Sequence, residues 1–413
     1  MTALFVLLTL TLAAAADDLS ALQDEAASAN PSLAAQEALV RELANRAAVS
    51  GAWMDPVLAV EYSNAPIDTF GLASHPMSGL QLKLQQSLAP PGWSGRKRAI
   101  GERMSDAAGH GRAEIELQLR AAVARAWWNL VQTRLLEEVT RAHIARTEEL
   151  QAAVTSRYEV GAAGQSAVLR LEVLRGRLTD ELLEFEAMDR SLSAALDGAL
   201  SREGPTTWET PDTVEPIAPP EASAWPVEAI ERPGLAVIDA KEAAEAAGAA
   251  AAKLDALPDP SVWIGYRVRL TETETDPGTD FVSAGIGVPL PVGSGRRAHG
   301  ERDARLEAAS RMRSERARMV DEITAGYRAT QARWSRAHHK AITYAETLVP
   351  AATNALAATQ TDFAVDRAGF AELFEAEVTL LDLERARIRA SVETHLQHAD
   401  ATALLGVSPT GGQ

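Results

Sequence analysis

The sequence predicts a mainly α-helical protein with a small β part, built from two copies of one unit. An ordered set of features between residues 30 and 200 returns between residues 232 and 406, displaced by roughly 200 residues. Each copy contains two short segments in which apolar and polar residues alternate, followed by two long segments with helical periodicity. The unit is therefore a helix, two strands and a long antiparallel helical hairpin. Because two strands cannot close a sheet, we expect the unit to need other copies of itself.

The N-terminal segment predicts export. Residues 4–12 form a short apolar run that ends in four alanines before two aspartates. This pattern matches the core and the small-residue cleavage site of a secretory signal peptide, which we place at residues 1–16. The alternative is a buried N-terminal helix. No later stretch of the sequence approaches the ~20 apolar residues of a membrane-spanning helix, so any crossing of a membrane must be made by strands.

Composition excludes several classes of function. The chain has 40 Lys and Arg against 57 Asp and Glu, a formal charge of -17, which repels a phosphate backbone and argues against nucleic-acid binding. It has no Cys, which excludes disulfides, thiolate metal sites and an acylated N-terminal cysteine. It also lacks a phosphate-binding glycine loop, an activated-nucleophile motif and a zinc-protease motif. We therefore expect neither an enzyme nor a cofactor.

The first copy covers residues 17–200. We expect a helix from Asp17 to Gly51, after which the apolar period changes from near 3.6 to 2. Strands are predicted at about 56–63 and 77–88. The alternation is clearest in the second strand, where Leu80, Leu82 and Leu84 oppose Gln81, Lys83 and Gln85.

The first hairpin follows these strands. Residues 96–158 contain no proline and only three glycines, so we expect one almost unbroken helix, ~90 Å long at 1.5 Å per residue. Its apolar residues recur in steps of three and four, which is typical of a packed coiled-coil seam. Glycines near 161–164 break the helix, and residues 166–200 return in the opposite direction.

The second copy covers residues 232–406 and repeats this order. Strands are predicted at about 261–270 and 281–290, and helices over 301–365 and 370–405 enclose a turn near 366–369. A proline-rich connection at 201–231 separates the copies, and residues 407–413 form a tail.

All four predicted strands have one apolar and one polar face. Their lengths are about what a tilted strand needs to cross hydrocarbon. The same alternation would also suit half-buried strands on a soluble core, but no spare amphipathic segment is evident to cover the apolar face.

The order of these parts resembles the TolC-type outer-membrane efflux factors, particularly those that serve heavy-metal and drug pumps of the resistance-nodulation-division type. The resemblance covers essentially the whole mature chain, and it depends on the order of several weak motifs, each in a matching place. These are Asn30-Pro31-Ser32-Leu33, Leu88-Ala-Pro-Pro-Gly92 with Trp93-Ser-Gly-Arg96, Pro289-Leu-Pro-Val-Gly293 with Ser-Gly-Arg296, Ala126-Trp127, Gly326-Tyr327, and Arg157-Tyr-Glu-Val-Gly161 through Ser166 with Leu169.

The resemblance implies a homotrimer in the outer membrane of a Gram-negative bacterium. Each chain would give four strands to a twelve-stranded transmembrane barrel set in outer-membrane lipid, continuous with a helical barrel in the periplasm. The protein would be the channel of a tripartite efflux system, a passive duct for drugs, metal ions or other solutes delivered by an inner-membrane pump and a periplasmic adaptor. The alternative is a soluble periplasmic coiled-coil scaffold or adaptor. The acylated cysteine of many relatives is absent.

Acidic residues near the second turn are candidates for a periplasmic aperture that gates and selects. Glu372 and Glu375 lie three apart and share a helix face. They also fall where family members place acidic residues at the periplasmic constriction. Threefold symmetry would gather these carboxylates into a ring that attracts cations. Asp362 and Asp366 are further candidates, and a solvated helix face is the alternative for all four.

The hairpin turns are candidates for adaptor docking, because in the family they meet the helical tips of the adaptor. Simple helix termination would explain the glycines of the turns but not an arginine beside each of them. The candidate docking residues are Arg157, Tyr158, Gly161, Gly164, Ser166, Leu169, Arg367 and Gly369.

Eight histidines raise the question of metal binding. His75 lies near Met77, His338 and His339 are adjacent, and His395 and His398 are one turn apart. Histidines on helix surfaces are common without metal, so we predict no metal site.

Overall fold

The structure is a computed structural model that describes residues 19–65, 67–68, 75, 77–221, 230–269, 278–290 and 292–408. The signal peptide predicted at residues 1–16 lies outside the described residues. The helices are α1 (residues 19–29), α2 (Pro31–Ser50), α3 (Trp93–Glu159), α4 (Gln165–Ala199), α5 (Pro233–Ala252), α6 (Ser294–Thr343), α7 (Val349–Ala364) and α8 (Phe370–Leu405). The strands are β1 (Val57–Ser63), β2 (Gly79–Ser87), β3 (Ser261–Arg269) and β4 (Phe281–Gly287). The fold class predicted from the sequence is confirmed.

The single helix expected from residue 17 to 51 is two helices, α1 and α2, because Pro31 ends the first one. Proline has no N–H to continue the helical ladder, and its ring disfavours helical geometry at the preceding residue. Asn30 fills the break: its side-chain oxygen accepts from the backbone N–H of Ser32 at 3.0 Å, and its amide donates to the carbonyl of Ala199 at 3.0 Å. The break is therefore a capped junction, and the expectation of one continuous helix was wrong.

The chain divides into two compact units. The described residues of unit 1 are 19–35, 112–221, 230–233 and 319–408, and those of unit 2 are 36–65, 67–68, 75, 77–111, 234–269, 278–290 and 292–318. Each unit takes segments from both copies of the repeat.

Unit 2 carries one antiparallel sheet with the strands in the order β1-β2-β3-β4. Leu58 pairs with Leu84, which in turn pairs with Ile264, so apolar side chains form a row across the strands. The polar row beside it pairs Ala59 with Lys83. The apolar face is exposed in the chain as described, as Val60 and Ile286 show with 63% and 73% exposure.

Unit 1 is a helical bundle made of α1, α4, α7 and α8 together with parts of α2, α3 and α6. Trp127 and Trp334 are almost fully buried in it, with 2% and 0% exposure. The described part of the proline-rich connection, residues 201–221, has no helix or strand and bonds to the bundle. The carbonyl of Ile217 accepts from the indole of Trp334 at 2.7 Å, and its N–H donates to Thr394 at 3.0 Å.

The first arm of the second hairpin differs from the single helix expected over 301–365. A π-helical turn at Tyr344–Leu348 separates α6 from α7. Pro350 is the second residue of α7, just after this turn. A proline ring clashes with the carbonyl four residues earlier in a regular α-helix, and a wider turn relieves that clash. Among the described residues, no helix combines the length and the apolar character needed to span a bilayer.

Candidate functional site: the two hairpin turns

The two hairpin turns in unit 1 have the same backbone design. In the first, the N–H groups of Gly161 and Ala162 donate to the carbonyls of Tyr158 and Arg157 at 2.9 and 2.8 Å. In the second, the N–H of Arg367 donates to the carbonyl of Asp362 at 2.8 Å, and that of Asp366 to Phe363 at 3.3 Å. This pair of bonds is the Schellman arrangement, which ends a helix with one residue in the left-handed conformation.

The left-handed residue differs between the two turns. It is Gly161 in the first turn, with φ of 78°, and Asp366 in the second, with φ of 60°. Gly164 and Gly369 then occupy equivalent N-cap positions at the start of α4 and α8, both with extended backbone. The turns predicted from the repeat are thus equivalent residue by residue.

Arg157 connects the two turns. Its guanidinium donates to the carboxylate of Asp366 at 2.8 Å and to the carbonyl of Ala364 at 3.1 Å. It also lies over the ring of Phe363, 4.3 Å from the centroid. Arg157 was predicted as a docking residue and Asp366 as an aperture residue, and the structure brings the two together. Because the Asp366 side chain is 78% exposed, solvent screens the ion pair.

The acidic candidates after the second turn are exposed. Glu372 and Glu375 both lie on the solvent side of α8, three residues apart. The Glu372 carboxylate accepts from the N–H of Gly369, the N-cap residue of α8, at 3.3 Å and so satisfies one backbone donor at the start of the helix. Asp362 is also exposed, and its backbone carbonyl accepts turn bonds.

The remaining docking candidates form exposed surface around the first turn and beside the second. Tyr158 is 44% exposed and Leu169 50% exposed. Ser166 and Arg367 are also exposed. Among these candidates, Arg157 is the residue whose charged group forms an ion pair within the chain, with Asp366.

Sequence reasoning missed a buried ionic group where α3 faces α8. His143, with 1% exposure, has Nδ1 2.7 Å from a carboxylate oxygen of Glu377 and Nε2 2.8 Å from one of Glu384. Next to it, Arg385 donates to Thr140 at 2.9 Å and to Glu181 of α4 at 2.5 Å. The available signal was Glu377 and Glu384 seven residues apart, two helical turns on one face, but their partner is more than 230 residues away in the sequence.

Electrostatics distinguishes His143 from His395 of the same bundle. Burial alone would lower the pKa of His143, but its hydrogen bonds to Glu377 and Glu384 outweigh burial and raise the pKa above the ordinary value of 6.5. In contrast, burial lowers the pKa of His395 to about 4, although its ring bonds to the carbonyl of Glu215. His395 stacks on Trp128 with ring centroids 3.8 Å apart.

The other histidines considered for metal have ordinary partners. His75 Nδ1 accepts from the backbone N–H of Met77 at 3.2 Å, and His398 lies edge-on to Trp334. The rings of His338 and His339 are 6.2 Å apart and nearly perpendicular. In the described part of the chain, no group of three or more histidines and carboxylates is arranged to hold a metal ion.

No protein-family model matches the chain, and no curated protein matches it in sequence. Solved structures do match it over nearly its whole length. The outer-membrane protein VceC from Vibrio cholerae is 19% identical, with a TM-score of 0.75 over 95% of this chain and 97% of its own. A membrane protein from Pseudomonas aeruginosa is 16% identical, with a TM-score of 0.77 over 94% and 92%.

CusC, which forms a transmembrane channel, is 13% identical, with a TM-score of 0.75 over 95% of this chain and 92% of its own. The agreement covers both the helical and the strand regions, because the shared length is nearly complete in both chains. The resemblance to TolC-type outer-membrane efflux factors is thereby confirmed at the level of the fold, and the chain has the fold of these solved membrane proteins.

Proposed function

We propose that the chain is the outer-membrane channel of a tripartite efflux system. In this function it is a passive homotrimeric duct that extends into the periplasm and receives small solutes from an inner-membrane pump and a periplasmic adaptor. The observation that carries the proposal is the match in fold to solved membrane proteins over at least 94% of this chain. Three further solved structures that match the chain are described as outer-membrane channels.

The sheet supports the same conclusion independently. Its apolar face is exposed in the chain as described, with Leu58 at 67% and Val282 at 70%. Burying such a face in lipid is favourable, at roughly 25 cal/mol per Å² of apolar surface removed from water. The outer strands β1 and β4 each pair on one side only, so they offer backbone donors and acceptors to further strands. Pairing of β4 with β1 of the next copy would close a barrel.

The aperture is proposed at the second hairpin turn. Glu372 and Glu375 are exposed on one face of α8, and three copies around an axis would concentrate six carboxylates there. Exposed residues at the turns, among them Tyr158, Leu169 and Arg367, are the proposed contacts for the adaptor. Arg157 would act between the turns, holding the second one in place through Asp366.

The membrane assignment is tested by two adjacent residues on opposite faces of β1. Val60 lies on the apolar face and Ala59 on the polar face. We expect Val60→Lys to abolish outer-membrane insertion and bilayer conductance, since a lysine facing lipid near the bilayer midplane costs about 2–4 kcal/mol. Ala59→Lys is the matched control and should insert and conduct. Recovery of both variants as soluble protein after osmotic shock would support the scaffold alternative instead.

The aperture is tested by removing charge while keeping shape. Glu372→Gln with Glu375→Gln preserves the hydrogen bond at the start of α8, because the glutamine oxygen also accepts from the N–H of Gly369. We expect this double variant to lose cation selectivity and cation block in planar-bilayer recordings while its conductance and assembly remain. Unchanged selectivity would contradict the acidic ring.

A further inference from the structure

Two ionised carboxylates beside His143 require a proton on each nitrogen of its imidazole ring. Glu377 and Glu384 face opposite ring nitrogens at 2.7 and 2.8 Å. A carboxylate only accepts hydrogen bonds, whereas a neutral imidazole has one donor nitrogen and one acceptor nitrogen. The neutral ring would therefore aim a lone pair at one of the two carboxylates. With both carboxylates ionised, only the imidazolium satisfies both contacts, and the group is then a buried cation between two anions.

This group, His143 with Glu377 and Glu384, is named the His143 clamp. It joins α3 to α8 inside the unit 1 bundle, where His143 is 1% exposed. The second oxygen of Glu377 is buried with no hydrogen-bond partner among the described residues. A buried carboxylate in this state is costly unless a positive charge lies beside it, so the clamp depends on the charge of His143.

Other charges near the clamp do not replace that cation. On α3, Arg146 lies 3.4 Å from Nε2 of His143 and 4.0 Å from Glu384. On α8, Arg387 acts on Glu384 from a distance. The neighbouring Arg385 is engaged by Glu181 from α4. The oxygen of Glu377 next to Nδ1 therefore has His143 as its partner.

We propose that the His143 clamp is a proton-operated lock: with its proton bound it holds α3 against α8, and loss of that proton at alkaline pH loosens the two helices around it. The neutral ring would leave one carboxylate buried against a lone pair. The nearby apolar cluster of Leu174, Leu178 and Leu381, against which Ile144 of α3 packs, would then have to hold α3 and α8 together alone. The lock goes beyond the transport function and can be measured without it.

The direction of the pH dependence follows from the two shifted groups. The pKa of His143 is raised in the folded chain, so its stabilisation is complete below 6.5 and is lost as the pH rises through the raised pKa. For Glu384, burial acts to raise the pKa, but the hydrogen bond from His143 and the charges of Arg146 and Arg387 outweigh it and lower the pKa below 4.5. Its stabilisation is complete above 4.5 and is lost as the pH falls through the lowered pKa. The clamp is therefore tightest between these two limits.

The test is amide hydrogen exchange of the purified full-length protein in detergent, followed by mass spectrometry at a series of pH values from 6 to 10. Exchange in the peptides around His143 and Glu377, corrected for the intrinsic rate, should rise up to about tenfold per pH unit between the unfolded and folded pKa of His143. Peptides from α2 serve as an internal reference and should show no such rise. A corrected exchange that stays flat around His143 over this range would overturn the proposal.

Two variants separate the lock from a general loss of structure. In Glu377→Gln, a neutral His143 can donate to Glu384 and accept from the new amide, so the alkaline loosening should disappear while the fold is kept. His110→Gln, at an exposed site on the same helix, should loosen as the wild type does. Loosening in Glu377→Gln equal to that of the wild type would reject the clamp.

Discussion

The two hairpin turns repeat one backbone with different side chains, and the difference separates a structural requirement from an added contact. Both turns need a left-handed residue, at Gly161 in one and Asp366 in the other. Glycine adopts this conformation without cost, and aspartate is among the few other residues that tolerate it. Asp366 accepts a bond from Arg157 of the first turn. The second copy thus uses the same position to bind the first.

The arms that lead into the turns differ more strongly. The first arm runs from Ser94 to Gly161, and the equivalent positions in the second arm are Ser294 and Asp366. The second arm is therefore about five residues longer than the first. The first arm is the unbroken α3, of 67 residues, whereas the second contains the π-helical turn before Pro350. A π turn takes one extra residue into the helix. The second copy therefore combines a longer arm, a π-helical turn and a proline, whereas the first copy has an unbroken helix.

The largest expected effect comes from giving the first arm the proline of the second. Ala145 stands at the same distance before its turn as Pro350 does, and it is exposed on an unbroken helix. Ala145→Pro should destabilise the bundle by about 3 kcal/mol or more, since it removes a helical hydrogen bond and clashes with the preceding turn. Pro350→Ala, at a site already relieved by the π turn, should change stability by less than about 1 kcal/mol.

Denaturant unfolding of the two variants, followed by circular dichroism, gives the comparison directly. An equal loss in both would mean that the π turn does not accommodate Pro350. A loss below about 1 kcal/mol for Ala145→Pro would mean that α3 can form a comparable turn at this point.

Local patterns were sufficient to predict the repeat, the strands and the turns. Alternation at Leu80, Leu82 and Leu84 gave the apolar face of β2, and the glycine at 161 marked the first turn. Features that depend on the register between distant helices were not accessible in this way. The His143 clamp needs α3 and α8 side by side, and the contact of Arg157 with Asp366 needs both turns at one end of the bundle.

The π turn was missed for a different reason. The π turn lies in the arm that contains an insertion. This insertion is visible only when the two ends of the arms are aligned separately, Ser94 with Ser294 at one end and Gly161 with Asp366 at the other. The break at Asn30 was accessible in principle, because Pro31 carries a local signal. The apolar periodicity on both sides of it favoured one helix.

The smallest effect tests the left-handed position itself. Gly161 has φ of 78° and nothing within 4 Å of the place where a Cβ would be added, so the cost of Gly161→Ala is purely conformational, about 1–2 kcal/mol. Gly164→Ala is the matched control three residues away. Its φ of -85° and ψ of 149° suit any residue, and the expected change is within about 0.5 kcal/mol. Both are read from the same denaturant curves. If the two alanine substitutions lower the free energy of unfolding equally, the first turn does not depend on its left-handed residue. Gly161 and Asp366 would then be equivalent in sequence position but not in their structural role.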